Sequence, residues 1–114
     1  MYYENLPIYK VAMELTVYIE VIVKGFEKYH KYTLGVDLRS YSKKILFLIN
    51  RANLSHHRIE KLVILRDACE DLKMLIRLCK ELKAFKSFKQ FEHSSKLCVD
   101  VARQAQAWLN ATQK

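Results

Sequence analysis

Residues 62–79 of the chain are LVILRDACEDLKMLIRLC. The apolar positions in this stretch are separated by three and four residues in alternation, as on one face of an α-helix. They are Leu62, Leu65, Cys69, Leu72, Ile76 and Cys79. A second apolar row widens this face towards its C-terminal end, namely Leu75, Leu78, Leu82 and Phe85. A face this wide predicts a long helix that packs against more than one neighbour.

Helical spacing recurs on both sides of this stretch. Pro7 suits the first turn of a helix, because its missing N–H needs no partner there. Thr33 and Ser87 can cap two further helices, and Asn53-Leu54-Ser55 suits a helix end followed by a new start. The predicted helices span about 7–28, 34–53, 56–84 and 87–111. Four amphipathic helices with short polar connections predict an all-α, up-down four-helix bundle in a single domain, residues 1–114.

The composition excludes several other classes of protein. The chain has 114 residues, of which 51% are apolar, and it contains only 2 Gly and 1 Pro. A disordered basic tail would be far less apolar. A β-sandwich or barrel would need more turn residues, and phosphate-binding and dinucleotide-binding loops need clustered glycines.

The three cysteines predict a protein of a reducing compartment. Cys69, Cys79 and Cys98 form no CxxC pair, and the first two lie on the apolar face described above. We therefore expect buried thiols that pack as small hydrophobes, and no metal or cofactor.

No signal segment is recognisable, and the apolar stretch Tyr18–Val23 is too short to span a bilayer. We expect a cytoplasmic protein without membrane contact.

The net charge of +8 is unevenly distributed. Residues 28–58 hold seven Lys and Arg against Asp37 alone. In the third predicted helix, Arg66, Lys73, Arg77 and Lys80 fall within about 60° of one another on a helical wheel. This basic row, about 20 Å long, suits contact with several phosphates. The alternative is a solvated helix face on which the cations only cover apolar neighbours.

Eight cations are the candidate contacts to nucleic acid. They are Arg39, Lys43, Lys44, Arg51, Arg66, Lys73, Arg77 and Lys80. Tyr29 and Tyr32, which alternate with basic residues, are suited to stacking on bases. They are equally suited to packing their rings at a helix corner with the hydroxyl in water.

No catalytic residues are predicted. The sequence has no Ser-His-Asp context and no HExxH motif, and its histidines lie near predicted loops. One alternative is the Arg51-x4-His56 spacing, which resembles the ribonuclease signature of HEPN domains. There the His would act as acid or base and the Arg would hold the phosphate charge. The polar residue usual after the Arg is replaced by Ala52.

The amino-acid sequences of four segments indicate a protein family, which their apolar periodicity alone does not. Leu6–Lys10, Tyr29–Arg39, Ile49–Asn53 and Trp108-Leu109 together resemble the accessory variability determinant (Avd) proteins of diversity-generating retroelements. These proteins belong to a wider group of four-helix bundles that includes those encoded in ribosomal RNA intervening sequences. The most specific part is the Tyr-Thr-Leu-Gly-x-Asp-Leu-Arg stretch.

The resemblance implies a ring-like homopentamer with a basic surface and no enzymatic site. Such a protein binds RNA or DNA, associates with the reverse transcriptase of the retroelement and supports mutagenic copying of template RNA into cDNA. Within the Tyr32–Asp37 corner, Gly35 would then serve backbone geometry. A helical scaffold that binds only protein, through the wide apolar face, is the remaining alternative.

Overall fold

The chain forms four long helices and two short helical turns in a computed structural model that describes residues 2–114. A 3-10 turn, Tyr3–Asn5, precedes α1 (Pro7–Lys24). The short α2 (Lys28–Lys31) is followed by α3 (Leu34–Leu54), α4 (Arg58–Glu81) and α5 (Phe88–Thr112). No strand occurs within residues 2–114.

The helices pack in the cyclic order α1, α3, α4, α5. α1 packs against α3 and α5, and α4 packs against the same two helices from the other side. The long helices are joined by short connections and therefore alternate in direction, and the molecule measures 45 × 21 × 20 Å. The prediction of an all-α, up-down four-helix bundle is confirmed.

The core contains the apolar face that the α4 sequence predicts. All six residues spaced by three and four, from Leu62 to Cys79, are buried. The predicted second row is only partly buried, because Leu78 and Leu82 are 46% and 49% exposed. α4 does contact two neighbours, as expected, but its apolar face extends beyond them onto the surface of the bundle.

The first helix ends earlier than the spacing predicts. α1 ends at Lys24, not at residue 28, and the Gly25 and Phe26 N–H groups donate to Ile22 and Val23 carbonyls in a closing turn. Phe26 is buried as the apolar spacing predicts, but its backbone lies outside the helix. Gly25 weakens the helix at this point, and Phe26 reaches the core after the chain has turned.

The corner before α3 brings three backbone segments close together. Thr33 stands at the predicted N-cap position, but its hydroxyl donates to the Tyr29 carbonyl at 2.8 Å instead of capping α3. A Cβ added at Gly35 would lie 2.7 Å from Val23 Cγ1 and 3.3 Å from the His30 carbonyl oxygen. Gly35 does not have a positive φ, so these contacts favour glycine here for lack of space and not for its backbone conformation.

The connection between α4 and α5 contains a lysine in a backbone conformation that favours glycine. Lys83 has a φ of 60°. Its N–H donates to the Lys80 carbonyl at 3.0 Å, and the Ala84 N–H donates to the Cys79 carbonyl at 2.9 Å. These two bonds form a Schellman motif, whose left-handed residue is usually glycine. Ser87 then caps α5, as predicted, by accepting a hydrogen bond from the Gln90 N–H.

Lys83→Gly is expected to raise the free energy of unfolding by about 0.5–1 kcal/mol, because glycine removes the left-handed strain of a residue with a Cβ. Urea unfolding should show a higher midpoint with an unchanged slope. Lys83→Ala is the matched control, since it removes the same charge but keeps the Cβ, and it should give little of this gain. Equal gains for the two variants would attribute the effect to charge and contradict the prediction.

Candidate nucleic-acid interface

The basic row lies along a surface groove between α4 and α5. Arg66 and Lys73 line a cavity of about 460 Å³ in this groove. Lys73 and Arg77 line an adjoining cavity of about 400 Å³ together with Phe91. Lys80 continues the line, with its Nζ 5.0 Å from the centre of the Phe91 ring. The structure therefore brings these four predicted cations together on one side of the bundle.

Small residues of α5 form the other wall of this groove. Ala102 and Ala107 line it, next to Val99. Arg103 projects into the same cavity from α5 and adds a fifth cation that sequence reasoning missed. The α5 sequence places Arg103 beside the apolar face of its helix. It does not predict which neighbouring helix lies next to that side of α5.

The ion pairs of the basic row are exposed. Arg66 contacts Asp67 at 3.2 Å, Lys73 contacts Glu70 at 3.2 Å and Lys80 contacts Glu81 at 3.7 Å. The three carboxylate side chains are all more than half exposed. Exposed pairs of this kind contribute only about 0–1 kcal/mol, so the cations can exchange them for phosphate at small cost.

Two residues set the charge balance in the middle of the groove. Among residues 2–114, no carboxylate lies within 4 Å of the exposed Arg77 guanidinium. Glu70 lines both cavities and is the acid that lowers the positive potential there. An anion in the groove would compete with Glu70 for the Lys73 ammonium, but it would meet no such competitor at Arg77.

The four candidate cations on α3 lie elsewhere. Arg39 Nε and Lys43 Nζ both contact the Glu20 carboxylate of α1, at 3.1 and 3.4 Å. This cluster lies between α1 and α3, on the side of the bundle opposite the α4–α5 groove. Lys44 Nζ lies 5.7 Å from the centre of the Tyr41 ring, and Arg51 is exposed in the last turn of α3. The eight candidates therefore do not form one surface.

The two tyrosines of the α2 region are at the surface. Tyr29 is 72% exposed and Tyr32 is 66% exposed, so neither ring is packed at the helix corner. The Tyr29 and His30 rings meet edge to face, with 5.6 Å between the ring centres. Both rings are accessible to a partner.

The ribonuclease alternative concerns the connection between α3 and α4. His56 is exposed and lines a shallow cavity with His57, Arg58 and Glu60, which Arg51 does not line. The nearby Arg58 has a structural contact instead. Its Nε donates to the Ala52 carbonyl at 3.0 Å and its Nη2 to the Asn53 carbonyl at 2.8 Å, which caps α3.

The cysteines are part of the core. Cys69, Cys79 and Cys98 are all buried, and burial raises the pKa of each thiol to about 12. A thiol with such a pKa is a poor nucleophile at neutral pH. The prediction that these residues pack as small hydrophobes is confirmed. Residues 2–114 contain no group of three or more His, Cys, Asp or Glu side chains placed to hold a metal ion.

Comparison of the sequence with models of known protein families finds no match, and comparison with curated proteins finds none either. Within residues 2–114, none of the helices has the length and apolar character needed to cross a bilayer.

Proposed function

We propose that this protein binds the phosphate backbone of nucleic acid along the groove between α4 and α5, and that it does so as a non-enzymatic accessory protein. The observation that carries the proposal is the alignment of the basic row along one groove, with Arg103 added from the facing helix. Five cations over about 20 Å match an extended polyanion better than a small anion.

The side chains of the groove suit a nucleic acid that is bound through its phosphate backbone. The Lys and Arg side chains are long and exposed enough to follow a phosphate chain without a fixed register. Between them lie Phe91 and small apolar residues, and of the polar residues that also line the groove, Gln106 and Asn110 are hydrogen-bonded to each other. Binding through these cations would therefore depend on charge and depend little on base sequence.

Salt dependence tests this proposal directly. Affinity for a 20-base-pair duplex DNA and for a 20-nucleotide RNA, followed by fluorescence anisotropy, should fall linearly with the logarithm of salt concentration. Five phosphate contacts give slopes of about −4 to −5 for the duplex and about −3 to −4 for the single strand. Absence of binding at 50 mM salt, or an affinity that does not change with salt concentration, would contradict the proposal.

The resemblance to Avd proteins extends the proposal to a biological setting. The nucleic acid would then be the template RNA or the cDNA of a retroelement, handled together with its reverse transcriptase, and the protein would act as a homo-oligomer, a pentamer by resemblance. Light scattering tests the subunit count. A reverse transcriptase gene next to the gene of this protein, and co-purification of the two products, would test the association.

Structured RNA in the same assays tests the ribonuclease alternative. Cleavage that disappears in the His56→Ala variant would assign an enzymatic function and overturn the non-catalytic proposal. RNA that remains intact under conditions where it is bound agrees with the accessory role. His56 is suited to this substitution because it is exposed and lies outside the core.

A further inference from the structure

One end of the bundle carries most of the net positive charge of the molecule. The end of α1, α2 and the α4–α5 connection meet there, in segments 24–32 and 80–89. These segments hold seven lysines against two glutamates, a net charge of +5 out of +8 for the whole chain. We call this surface the lysine end; its lysines are Lys24, Lys28, Lys31, Lys80, Lys83, Lys86 and Lys89.

Side-chain contacts hold the two segments of the lysine end together. The Phe26 and Phe85 rings pack edge to face, with their centres 5.7 Å apart. The Lys86 side chain passes so close to Gly25 that a Cβ there would lie 3.5 Å from Lys86 Cε. The chain around Gly25 and the chain around Lys86 therefore lie side by side although about 60 residues separate them in the sequence, and α2, which packs against α3, carries Lys28 and Lys31 at the same end of the bundle.

The positive charge of this surface is largely uncompensated. Of its seven lysines, only Lys80 has a carboxylate within 4 Å in the part of the chain that the structure describes. Lys24 and Lys80 lie in the last turns of helices, where a cation interacts favourably with the helix dipole. That explanation does not extend to Lys89, which lies in the first turn of α5, where a cation opposes the dipole.

Lys83 is a further residue that folding alone does not favour. It occupies the left-handed position of the Schellman motif, where glycine would be less strained. Backbone strain of this kind is concentrated at functional sites. A lysine in this position adds positive charge to the middle of the lysine end at the expense of stability.

Exposed aromatic residues lie next to these lysines in the sequence: Tyr29 and Tyr32 beside Lys28 and Lys31, and Phe88 beside Lys89. Tyr29, Tyr32 and Phe88 are 72%, 66% and 64% exposed. Aromatic rings beside cations bind unpaired bases by stacking, which is tolerant of sequence. A duplex offers such rings no unstacked base. An anionic membrane would also attract lysines and aromatics. We favour nucleic acid because Lys80 belongs to both the lysine end and the basic row. A strand bound in the groove would therefore continue onto this end.

We propose that the lysine end is a binding surface for single-stranded nucleic acid, with phosphates held by Lys83, Lys86 and Lys89 and bases stacked on Tyr29, Tyr32 and Phe88. The inference rests on the proposed function in one respect only, the continuous path from the groove through Lys80 to the lysine end. Duplex regions bind the groove alone, whereas single strands use both surfaces.

Two charge variants with equal loss of charge test this assignment. The end variant is Lys83→Gly/Lys86→Gln/Lys89→Gln, and the groove variant is Arg66→Gln/Lys73→Gln/Arg77→Gln. The probes are a 20-nucleotide oligo-U RNA and a blunt 20-base-pair DNA duplex. We expect the end variant to lose at least about tenfold in affinity for the RNA and less than about threefold for the duplex. RNA affinity within threefold of wild type, or equal losses on both probes, would overturn the inference.

An aromatic variant separates stacking from charge. Tyr29→Ala/Tyr32→Ala should lose about tenfold or more in affinity for the oligo-U RNA with an unchanged salt slope, because the phosphate contacts remain. Unchanged RNA affinity, together with lost binding to phosphatidylserine vesicles, would assign the surface to membranes and overturn the inference. Both rings are exposed, so the fold should tolerate the change, which circular dichroism and thermal unfolding verify.

The same measurements distinguish this inference from the proposed function. Loss of RNA affinity in the end variant, with both affinities unchanged in the groove variant, supports the lysine end and rejects the groove. Loss of both affinities in the groove variant, with the end variant unchanged, supports the groove and rejects the lysine end.

Discussion

Replacement of the basic row by glutamine should weaken binding to duplex DNA by about 100- to 1,000-fold at 0.1 M salt, because each lost phosphate contact removes the release of nearly one counterion. The variant is Arg66→Gln/Lys73→Gln/Arg77→Gln/Lys80→Gln. The slope of log affinity against log salt should become shallower by about 3 to 4. Glutamine is a good helix former and the four side chains lie at the surface, so the fold should persist.

The other four candidate cations provide the matched control. Arg39→Gln/Lys43→Gln/Lys44→Gln/Arg51→Gln removes the same number of charges and leaves the same net charge. Because Arg39 and Lys43 already contact Glu20 on the opposite side of the bundle, this control should lose less than about tenfold. Equal losses in both variants would mean that net charge alone drives binding, and the groove would then have no special role.

The contrast between these two sets shows how far the sequence predicts the arrangement of the candidate cations. The basic row follows from helical periodicity within α4, and the structure brings its members together because that periodicity is local. The α3 cations have a similarly basic local sequence. Their position away from the groove follows from the packing of α3 on α1, which also brings Glu20 to Arg39 across 19 residues of sequence.

The same distinction applies to the lysine end and to the fold. The α4 apolar spacing predicts its buried face directly, and four helices follow from four such patterns. The contact between Gly25 and Lys86, by contrast, is a tertiary contact, and helical periodicity does not predict it. The early end of α1 was missed for a related reason: Phe26 continues the apolar spacing and is buried, but it reaches the core from a turn.

Gly35→Ala should lower the free energy of unfolding by about 1–2 kcal/mol. Two effects of opposite sign compete at this position. Gly35 is the second residue of α3, and alanine is favoured over glycine within a helix by up to about 1 kcal/mol. Against this, the new methyl would lie 2.7 Å from Val23 Cγ1, and insertion of a methyl into a packed site costs about 1–3 kcal/mol.

Steric overlap is expected to outweigh helix propensity because Val23 has no room to move. Val23 is fully buried and its branched side chain is restricted in χ1, and the His30 carbonyl limits the new methyl from another side at 3.3 Å. Urea unfolding should show the loss as a lower midpoint with an unchanged slope. A gain of about 1 kcal/mol would mean that propensity prevails and that the corner is not tightly packed.

Gly25→Ala is the control for the second glycine of the chain. A Cβ there would meet its nearest atoms, Ile22 O and Lys86 Cε, at ordinary contact distances of 3.5 Å, so stability should change by less than about 0.5 kcal/mol. Val23→Ala provides a test of mechanism, because it removes the methyl that Gly35→Ala would strike. If overlap with Val23 is the cause, the double variant should be more stable than the sum of the two single losses predicts. Additive losses would instead place the cost of Gly35→Ala at the His30 carbonyl, the remaining close contact at this corner.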